Sequence, residues 1–570
     1  MPDPETSRRR RGWLGLAALA LVVVQIPVLI RTASDPTQSD FGNYFVPARV
    51  VASGGAVGAL YDRDTFDRAR VDAGIAGLGS FVPHPPANAL WLAPFARLGA
   101  GTAKLMWTLI LLAAAAGCVA CVRAIDPAHG WPGALLVVFG PTLAMRNGLA
   151  FGQPYLVLSA MLLVGACLWQ QGHVMRAAFM LGLGASFKPY ALPLGALLLG
   201  RRRGTAILWF LAGAVLPTTL LTAWNGTSGV TEFTMKVLPW LLRGEIQDPF
   251  SAGWGSVHAF TNRLFRFEPD LNPRPWVDAP AFAVFAAPFV SCFIAVSGLL
   301  AGRRAVASDR PGEGIAIAVA ALVAASPLVG SYHLVLLFVT IGAVGARLSM
   351  KAWMAWLLLW GITGSSIVNG LRGFEDAPAP LHFIRLFLLI AIAAVAGRDF
   401  VTFRNVAIAT GLGFAAGGVS LLTRPRAETW ARVDEARGYS AMRPFFENGE
   451  LGWWSPSEDG KGYRRRSATH REEGIVPVLP SAIQTPGNVK VVSRFTEGSM
   501  NLFLRIDGRA DEQVTFSSAN EVEPVLSPDG CSVVFASDQH RGLGSTALYR
   551  IDVSRFIREC ERSPPSAVRP

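Results

Sequence analysis

Side chains that can act in catalysis or ligand binding occur at several places between the apolar runs of this sequence. Lys188 is flanked by apolar segments on both sides, and an ionisable group at membrane depth is costly enough that function is its usual explanation. A lone histidine such as His333 fits a ligand contact and a core position equally well. Arg243, Glu245, Asp248 and Asp278 fit solvated loop positions better. The full set comprises Asp35, Asp40, Asn43, Tyr44, Arg49, Tyr61, Asp62, His84, Arg146, Asn147, Gln153, Lys188, Lys236, Arg243, Glu245, Asp248, His258, Arg263, Asp278, Ser326, Ser331, Tyr332 and His333.

The composition indicates that these side chains are presented by a membrane protein. Of the 570 residues, 51% are hydrophobic and only 16% are charged, whereas soluble domains carry about 25% charged residues. The mean hydropathy is +0.36. The net charge of +12 does not favour nucleic-acid binding, because much of the basic charge lies beside apolar runs, as is typical of cytoplasmic loops.

A membrane span needs about 20 apolar residues, and the apolar runs predict an all-α polytopic domain over residues 1–423 with about 12–13 transmembrane helices. Residues 424–485 are predicted to be a linker, and residues 486–570 a small β-rich soluble domain. The expected spans are Trp13–Ile30, Lys104–Val122, Trp131–Met145, Tyr155–Gln170, Ala177–Phe187, Tyr190–Leu199, Thr205–Leu221, Ala281–Leu300, Gly314–Ala325, Tyr332–Val344, Ala352–Val368, Leu381–Ala396 and Val406–Leu422.

The orientation depends on whether the chain breaks at Lys188-Pro189. With a break, there are 13 spans, Arg201–Arg203 and the later basic loops stay cytoplasmic, and the tail is extracytoplasmic. Without it, there are 12 spans and every later loop changes side. The positive-inside rule favours the break. The N-terminus is then cytoplasmic, and the loops at about 31–86 and 224–279 face outward.

The six cysteines indicate no metal site. Cys118 and Cys121 have the CxxC spacing, but they lie on a predicted span with no second pair. Cys531 and Cys560 stand in the polar tail and could form a disulfide if that tail lies outside the cytoplasm.

In the tail, residues 488–555 carry two similar pairs of short β-type runs. Val491-Val492 and Leu502–Ile506 match Val533–Phe535 and Ala547–Ile551 at offsets of about 42–45 residues, which is about one propeller blade. The segment from Leu526 through Pro528-Asp529-Gly530 to Tyr549 resembles the TolB-like propeller repeat. About two propeller-type blades fit, and propellers usually need four or more, so the unit is expected to pack on the membrane domain or to pair with a partner chain.

Five motifs resemble glycosyltransferase family 87, whose members are membrane enzymes of the GT-C fold class related to polyprenyl-phosphate-mannose-dependent mannosyltransferases. They are similar to its first outer loop, the entry to its second span, its asparagine and glycine-glutamine loop, its Lys-Pro break and its Ser-Pro…His turn. The matching residues are Ser39-Asp40-Phe41 to Tyr44 with Ala48, Gly54 and Leu60-Tyr61-Asp62, then Pro83-His84-Pro85-Pro86 with Leu90 and Pro94, then Asn147 with Gly152-Gln153, then Lys188-Pro189, then Ser326-Pro327 with Tyr332-His333. His84 stands where the family more often has an aromatic residue.

The resemblance implies that a hexose, mannose foremost, passes from a polyprenyl phosphate to an acceptor hydroxyl with inversion. A first-loop carboxylate would be the general base, with Asp40 the first choice, Asp62 the second and Asp35 the third. Cations and donors would hold the donor phosphate. Those candidates are Lys188, Arg146, Arg263 and His333, and the substrate-binding candidates are Tyr44, Asn147, Gln153 and Tyr332. No metal and no cofactor beyond the donor substrate are implied.

The implied partners are the lipid bilayer, the polyprenyl-phosphate sugar and a glycolipid or glycan acceptor. Two other functions stay open at this point. A lipid or solute transporter or flippase would usually show repeated helices, and no repeat is seen among these apolar runs. A non-catalytic cell-envelope assembly or sensor protein would act through the β tail and would tolerate the loss of Asp40.

Overall fold

The computed structural model of the chain describes residues 4–37, 39–199, 204–370, 378–433, 436, 438, 440–467, 473–481, 489–496, 498–507 and 509–557. A helical part precedes a β-rich part, as predicted. The helices are α1 (Pro4–Thr32), α2 (Ser39–Ala52), α3 (Arg63–Asp72), α4 (Ala100–Ile125), α5 (Gly130–Phe139), α6 (Thr142–Ala150), α7 (Tyr155–Gln170), α8 (Val174–Phe187), α9 (Gly204–Asn225), α10 (Ser228–Glu232), α11 (Leu238–Arg243), α12 (Val257–Phe265), α13 (Pro280–Ala307), α14 (Pro311–Ala325), α15 (Phe338–Gly345), α16 (Met350–Thr363), α17 (Ile367–Gly370), α18 (Ala379–His382), α19 (Ile384–Gly397) and α20 (Phe403–Leu422).

Within the described residues, five helices are long and apolar enough to cross a membrane: residues 12–32 of α1, and α4, α9, α13 and α20. The pair α5 and α6 adds a sixth if it is one span bent by 65°. Shorter apolar helices, among them α7, α8, α14 and α19, accompany them. The helices therefore indicate a multi-pass membrane protein, and the count of 12 to 13 spans stays a prediction. Many predicted spans fall short because glycine and proline end their helices early.

The break at Lys188-Pro189 is present. Helix α8 ends at Phe187, Lys188 is extended (φ −140°, ψ 95°), and a 3-10 helix runs over Pro189–Leu198. Proline removes a backbone donor and disfavours the α conformation in the residue before it, so the helix ends here. Arg201–Arg203, whose side depends on this break, lie outside the described residues.

Small residues let the helices that carry this break pack closely. A Cβ atom on Gly182 of α8 would lie 2.0 Å from the carbonyl oxygen of Phe210 in α9, and one on Gly213 would lie 2.3 Å from the carbonyl oxygen of Phe179. Such close backbone approach is a usual way for membrane helices to associate. The contact fixes α8, and with it the position of Lys188.

The described residues of the tail form eleven strands: β1 (Ala431–Arg432), β2 (Met442–Glu447), β3 (Glu450–Pro456), β4 (Tyr463–Ser467), β5 (Glu473–Val476), β6 (Val489–Thr496), β7 (Ser499–Ile506), β8 (Glu512–Gln513), β9 (Glu521–Leu526), β10 (Ser532–Ser537) and β11 (Ala547–Asp552). They form three small sheets with the orders β1-β11-β10-β9, β2-β3-β4-β5 and β6-β7-β8. The two predicted strand pairs are the antiparallel pairs β6-β7 and β10-β11. No propeller is formed by the described strands.

Strands β1–β5 lie inside the stretch that its composition predicts to be a linker, so the β-rich region begins earlier than expected. Polar residues in these strands interrupt the alternation of apolar and polar positions that marks a strand in a sequence. Strand β4, for example, has the sequence Tyr-Arg-Arg-Arg-Ser, and its Arg465 forms an ion pair with Glu447. A turn with a left-handed glycine joins β3 to β4 at Gly460 (φ 65°), and another joins β9 to β10 at Gly530 (φ 74°). The second is the turn predicted from Pro528-Asp529-Gly530.

The tail packs on the two long loops of the helical part, at about residues 31–86 and 224–279. The Tyr463 hydroxyl donates to Asp67 of α3. On the second loop, the fully buried Arg541 donates to Glu268 at 2.9 Å and Asp270 at 2.8 Å, and the Leu543 amide donates to the carbonyl oxygen of Glu245 at 2.8 Å. The tail therefore lies on the same side of the membrane domain as the two loops.

A buried carboxyl in the tail predicts a pH-dependent stability. Burial raises the pKa of Glu521 from 4.5 to about 8, against the hydrogen bonds from Ser517 and Thr515 that lower it. An acid whose pKa is higher in the folded than in the unfolded protein contributes its full stabilisation when the pH is below the unfolded pKa. This contribution to the free energy of unfolding is lost as the pH rises from about 4.5 to about 8. The loss is at most about 1.4 kcal/mol per pH unit. We expect Glu521→Gln to flatten this decline and to raise the melting temperature at pH 8.

The measurement is tryptophan fluorescence of the full chain in detergent, since Trp430, Trp453 and Trp454 lie in the tail. Glu512→Gln, at an exposed position on β8, is the matched control and should keep the wild-type pH dependence. Equal slopes for wild type and Glu521→Gln would contradict the assignment.

Candidate active site

The candidate site begins at the first turn of α2. Gln153 hydrogen-bonds the carboxylate of Asp40, and the Tyr44 hydroxyl donates to Gln153 Oε1 at 2.8 Å. Tyr44 lies one helical turn after Asp40, so both side chains are on one face of α2. Because Oε1 is already an acceptor, the amide nitrogen of Gln153 is the group that donates to Asp40. Tyr44 therefore positions Gln153, and Gln153 interacts with the carboxylate.

The environment of Asp40 suits a proton acceptor. Burial raises its pKa above 3.8, while the hydrogen bond from Gln153 and the charges of Lys188 and Lys104 act in the opposite direction and lower it. A carboxylate whose pKa moves towards the working pH is a better general base.

Lys188 lies close enough to Asp40 for their charges to interact, and its side chain is only 9% exposed. Its Nζ atom is 4.9 Å from the centre of the Tyr155 ring, a cation–π distance. Because α8 ends at Phe187, Lys188 follows the last helical residue and does not lie within a continuous helix. A buried cation and a half-buried carboxylate thus share one site.

His333 joins the site through Tyr155. The Gly330 amide donates to His333 Nδ1 at 3.0 Å, so the ring proton resides on Nε2. Nε2 is 2.6 Å from the Tyr155 hydroxyl and donates to it. The ring of Tyr332 stacks beside that of His333, with centroids 4.9 Å apart. The Ser326-to-His333 turn therefore meets α7 at the same place as Lys188.

Two residues outside the predicted set support this site. Tyr155 lies between Lys188 and His333, as above. Lys104 of α4 is fully buried, and its Nζ donates to the carbonyl oxygens of Leu149 and Ala150 at 3.0 and 2.9 Å. It thereby holds the end of α6, just before Gln153. A lysine at the start of an apolar run was the available sequence signal for it.

Asn147 connects α6 to the His333 turn, since its Nδ2 donates to Ser331 Oγ at 2.8 Å. Arg146 is next to it, and its exposed side chain reaches Asn147 Oδ1 at 3.4 Å. Both residues lie at the rim of the site.

Asp62, Asp35 and Arg263 have other local roles. Asp62 is the exposed N-cap of α3 and accepts hydrogen bonds from the amide and hydroxyl of Thr65. Asp35 accepts from the amide and hydroxyl of Thr37. Arg263 Nη1 donates to the carbonyl oxygen of Leu271 at 2.7 Å within the second outer loop. These contacts do not join them to Asp40, and their predicted roles in catalysis and donor binding stay predictions.

An apolar groove runs from Lys188 between α7, α8 and α14. Lys188 is the one charged residue among those that line it: Leu158, Leu162, Gly184, Lys188, Ala191, Leu194, Val319, Leu322, Val323 and Leu336. The lining is otherwise apolar. Within the described residues, no group of three or more histidine, cysteine, aspartate or glutamate side chains could hold a metal ion.

Fold and site together indicate a multi-pass membrane protein with a cluster of polar side chains beside the break after α8. In comparisons with known proteins, the model of glycosyltransferase family 87 matches residues 81–331, which is under half of the chain. This match indicates a membrane glycosyltransferase. It includes Asn147, Gln153 and Lys188, and it ends before the β-rich tail. No curated protein and no solved structure matches the chain.

Proposed function

We propose that the protein is an inverting membrane glycosyltransferase that moves a hexose, mannose foremost, from a polyprenyl phosphate to an extracytoplasmic glycolipid or glycan acceptor. The observation that carries the proposal is Lys188, which lines an apolar groove and lies close enough to Asp40 for their charges to interact. The family match, which indicates a glycosyltransferase, supports it.

In the proposed reaction, Asp40 takes the proton of the acceptor hydroxyl, and the oxygen of that hydroxyl attacks the anomeric carbon of the donor sugar. The bond between that carbon and the phosphate oxygen breaks, and the electron pair stays on the lipid phosphate. Lys188 then stabilises the growing charge of the leaving group in a site with little water. Gln153 and Tyr44 orient Asp40, and Tyr155 and His333 line the site beside Lys188.

The groove explains why the donor would be a lipid. Its nine uncharged lining residues accept the first part of a polyprenyl chain, since apolar surface gains about 25 cal/mol per Å² on burial. The anionic head then reaches Lys188 without leaving the membrane. Arg146, exposed at the rim, adds positive charge that attracts a phosphate, and Arg263 is a more distant candidate for the same role.

The protein would lie in the cell membrane, with its N-terminus in the cytoplasm and the loops and tail outside. Two observations support this orientation. Basic clusters flank the predicted spans on the opposite side, and Cys531 in the tail is disulfide-bonded, as is usual in oxidising compartments. Cys560, its expected partner, lies outside the described residues.

The test is sugar transfer in membranes from synthetic polyprenyl-phosphate mannose, glucose and arabinose. We expect transfer from one donor by the wild type and its loss in Asp40→Asn. Asp72→Asn is the matched control, because Asp72 is an exposed carboxylate of the same loop. Movement of the lipid across the bilayer without sugar transfer would instead identify a flippase, and normal function of Asp40→Asn would favour a non-catalytic assembly protein.

A further inference from the structure

His84 lies inside the candidate site, although its side chain has no part in the reaction proposed above. It is 5% exposed, and its ring centroid is 4.7 Å from that of Tyr44 and 6.3 Å from that of Phe81. The backbone on both sides of the ring is fixed. Its amide donates to the carbonyl oxygen of Phe81 at 2.8 Å, and its own carbonyl accepts from the Tyr61 hydroxyl at 2.7 Å.

The Nδ1 atom of His84 is buried and has no hydrogen-bond partner in the part of the chain that the structure describes. A buried polar atom without a partner costs roughly 1–3 kcal/mol, and native proteins rarely leave one without a reason. Lys188 and His333 are near enough for their charges to act on the ring. Tyr44, which donates to Gln153, packs against the ring, so His84 lies on the Tyr44 side of the site.

The ring is neutral when the site is empty. Burial lowers the pKa of His84 well below 6.5, and the nearby Lys188 and His333 lower it further. A neutral imidazole has one donor and one acceptor nitrogen, and a sugar hydroxyl can both donate and accept. The anionic phosphate is matched better by the cation of Lys188. The sugar must also lie between the phosphate at Lys188 and the acceptor at Asp40, next to Tyr44.

We propose that His84 hydrogen-bonds a hydroxyl of the transferred hexose through Nδ1 and so helps to determine which sugar is accepted. This role rests on the proposed function. It makes His84 a substrate contact in addition to Asp40 and Lys188, and it assigns part of the sugar selectivity to the segment that enters the second predicted span.

The first arm of the test measures the empty protein. Replacing a ring that has an unpartnered buried nitrogen by an apolar ring of similar size changes the free energy of unfolding little or raises it. We expect His84→Phe to melt at the wild-type temperature or above it. A clear loss of melting temperature would mean that Nδ1 has a structural partner, and this outcome would overturn the proposal.

The second arm is a double-mutant cycle between the protein and the donor. Wild type and His84→Phe are assayed with the accepted polyprenyl-phosphate hexose and its single-deoxy analogues. We expect one deoxy position to lower kcat/KM of the wild type about tenfold, as for 1.4 kcal/mol, and to have little effect on His84→Phe. His84→Gln, which keeps a donor and an acceptor, should recover part of this discrimination.

His258→Phe is the matched control. His258 is also buried with an unpartnered Nδ1, but it packs against Gly244 near the tail, so its replacement should leave the discrimination unchanged. Equal discrimination by wild type and His84→Phe overturns the role of His84 alone. Weaker binding of sugar-free polyprenyl phosphate to His84→Phe would assign Nδ1 to the phosphate and also overturn it. A wild type that transfers no hexose overturns the proposed function and this role together.

Discussion

Asp40→Asn is expected to lower the rate of sugar transfer by about 10²–10⁴-fold, the usual contribution of a general base. The asparagine side chain has nearly the same shape but cannot take the acceptor proton. Since Tyr44 and Gln153 remain in place, the protein should still fold and bind the donor. The loss is therefore expected in kcat, with KM for the donor little changed. Initial rates across donor concentrations measure both quantities.

The pH profile tests the same role independently. The pKa of Asp40 is raised above 3.8, mainly by burial, so the wild-type rate should fall as the pH drops through that raised value and the carboxylate becomes protonated. The residual activity of Asp40→Asn should lack this acidic limb. A large loss in Asp62→Asn with none in Asp40→Asn would move the base to Asp62. In its observed position Asp62 caps α3, and asparagine caps a helix about as well as aspartate, so Asp62→Asn should keep the wild-type stability.

Lys188→Met should weaken transfer by roughly 10²–10³-fold, as for the loss of one donor to a developing anion. Methionine keeps most of the apolar length of lysine, so the groove from Leu158 to Leu336 stays lined. The charge that holds the phosphate is the main property removed. Binding of sugar-free polyprenyl phosphate should weaken together with the rate, because the lipid product carries the full charge. Lys188→Arg should restore part of both.

The matched control for this prediction is Lys351→Met, an exposed lysine at the start of α16, which should transfer sugar at the wild-type rate. Unchanged binding of polyprenyl phosphate to Lys188→Met would contradict a phosphate contact. A fall in melting temperature without a change in transfer would assign Lys188 to the stability of the break after α8.

Lys188 stands between apolar runs, where a polar side chain is costly, whereas Asp40 and His333 are selected through the family motifs. The roles of all three stay predictions, although the structure places them near one another. Their common site depends on which helix ends meet, and a linear pattern does not contain that information. Tyr155 illustrates the limit: it reads as the first residue of a span, yet its hydroxyl accepts from His333 and its ring lies beside Lys188. Lys104 reads as a span boundary, yet it caps α6.

The tail shows a different limit. Strands β6, β7, β10 and β11 carry runs of apolar β-formers and could be located from the sequence. Strand β4 has three consecutive arginines, and its stability comes from pairing with β3 and β5 and from ion pairs, so no apolar alternation marks it. Such strands can be recognised only when the strands that pair with them are known.

The contacts between α3 and the tail also set the order in which the protein can be made. Asp64 is bonded to Arg443, and Arg63 to Gly544, which are 379 and 481 residues later in the chain. At roughly 5–20 residues per second, a ribosome needs about 20–100 s to supply these partners. During most of synthesis, Arg63 and Asp64 of the first loop therefore lack their partners in the tail. These contacts form only after the last strands have reached the same side of the membrane. A chain that stops short of residue 544 lacks the carbonyl group that Arg63 contacts.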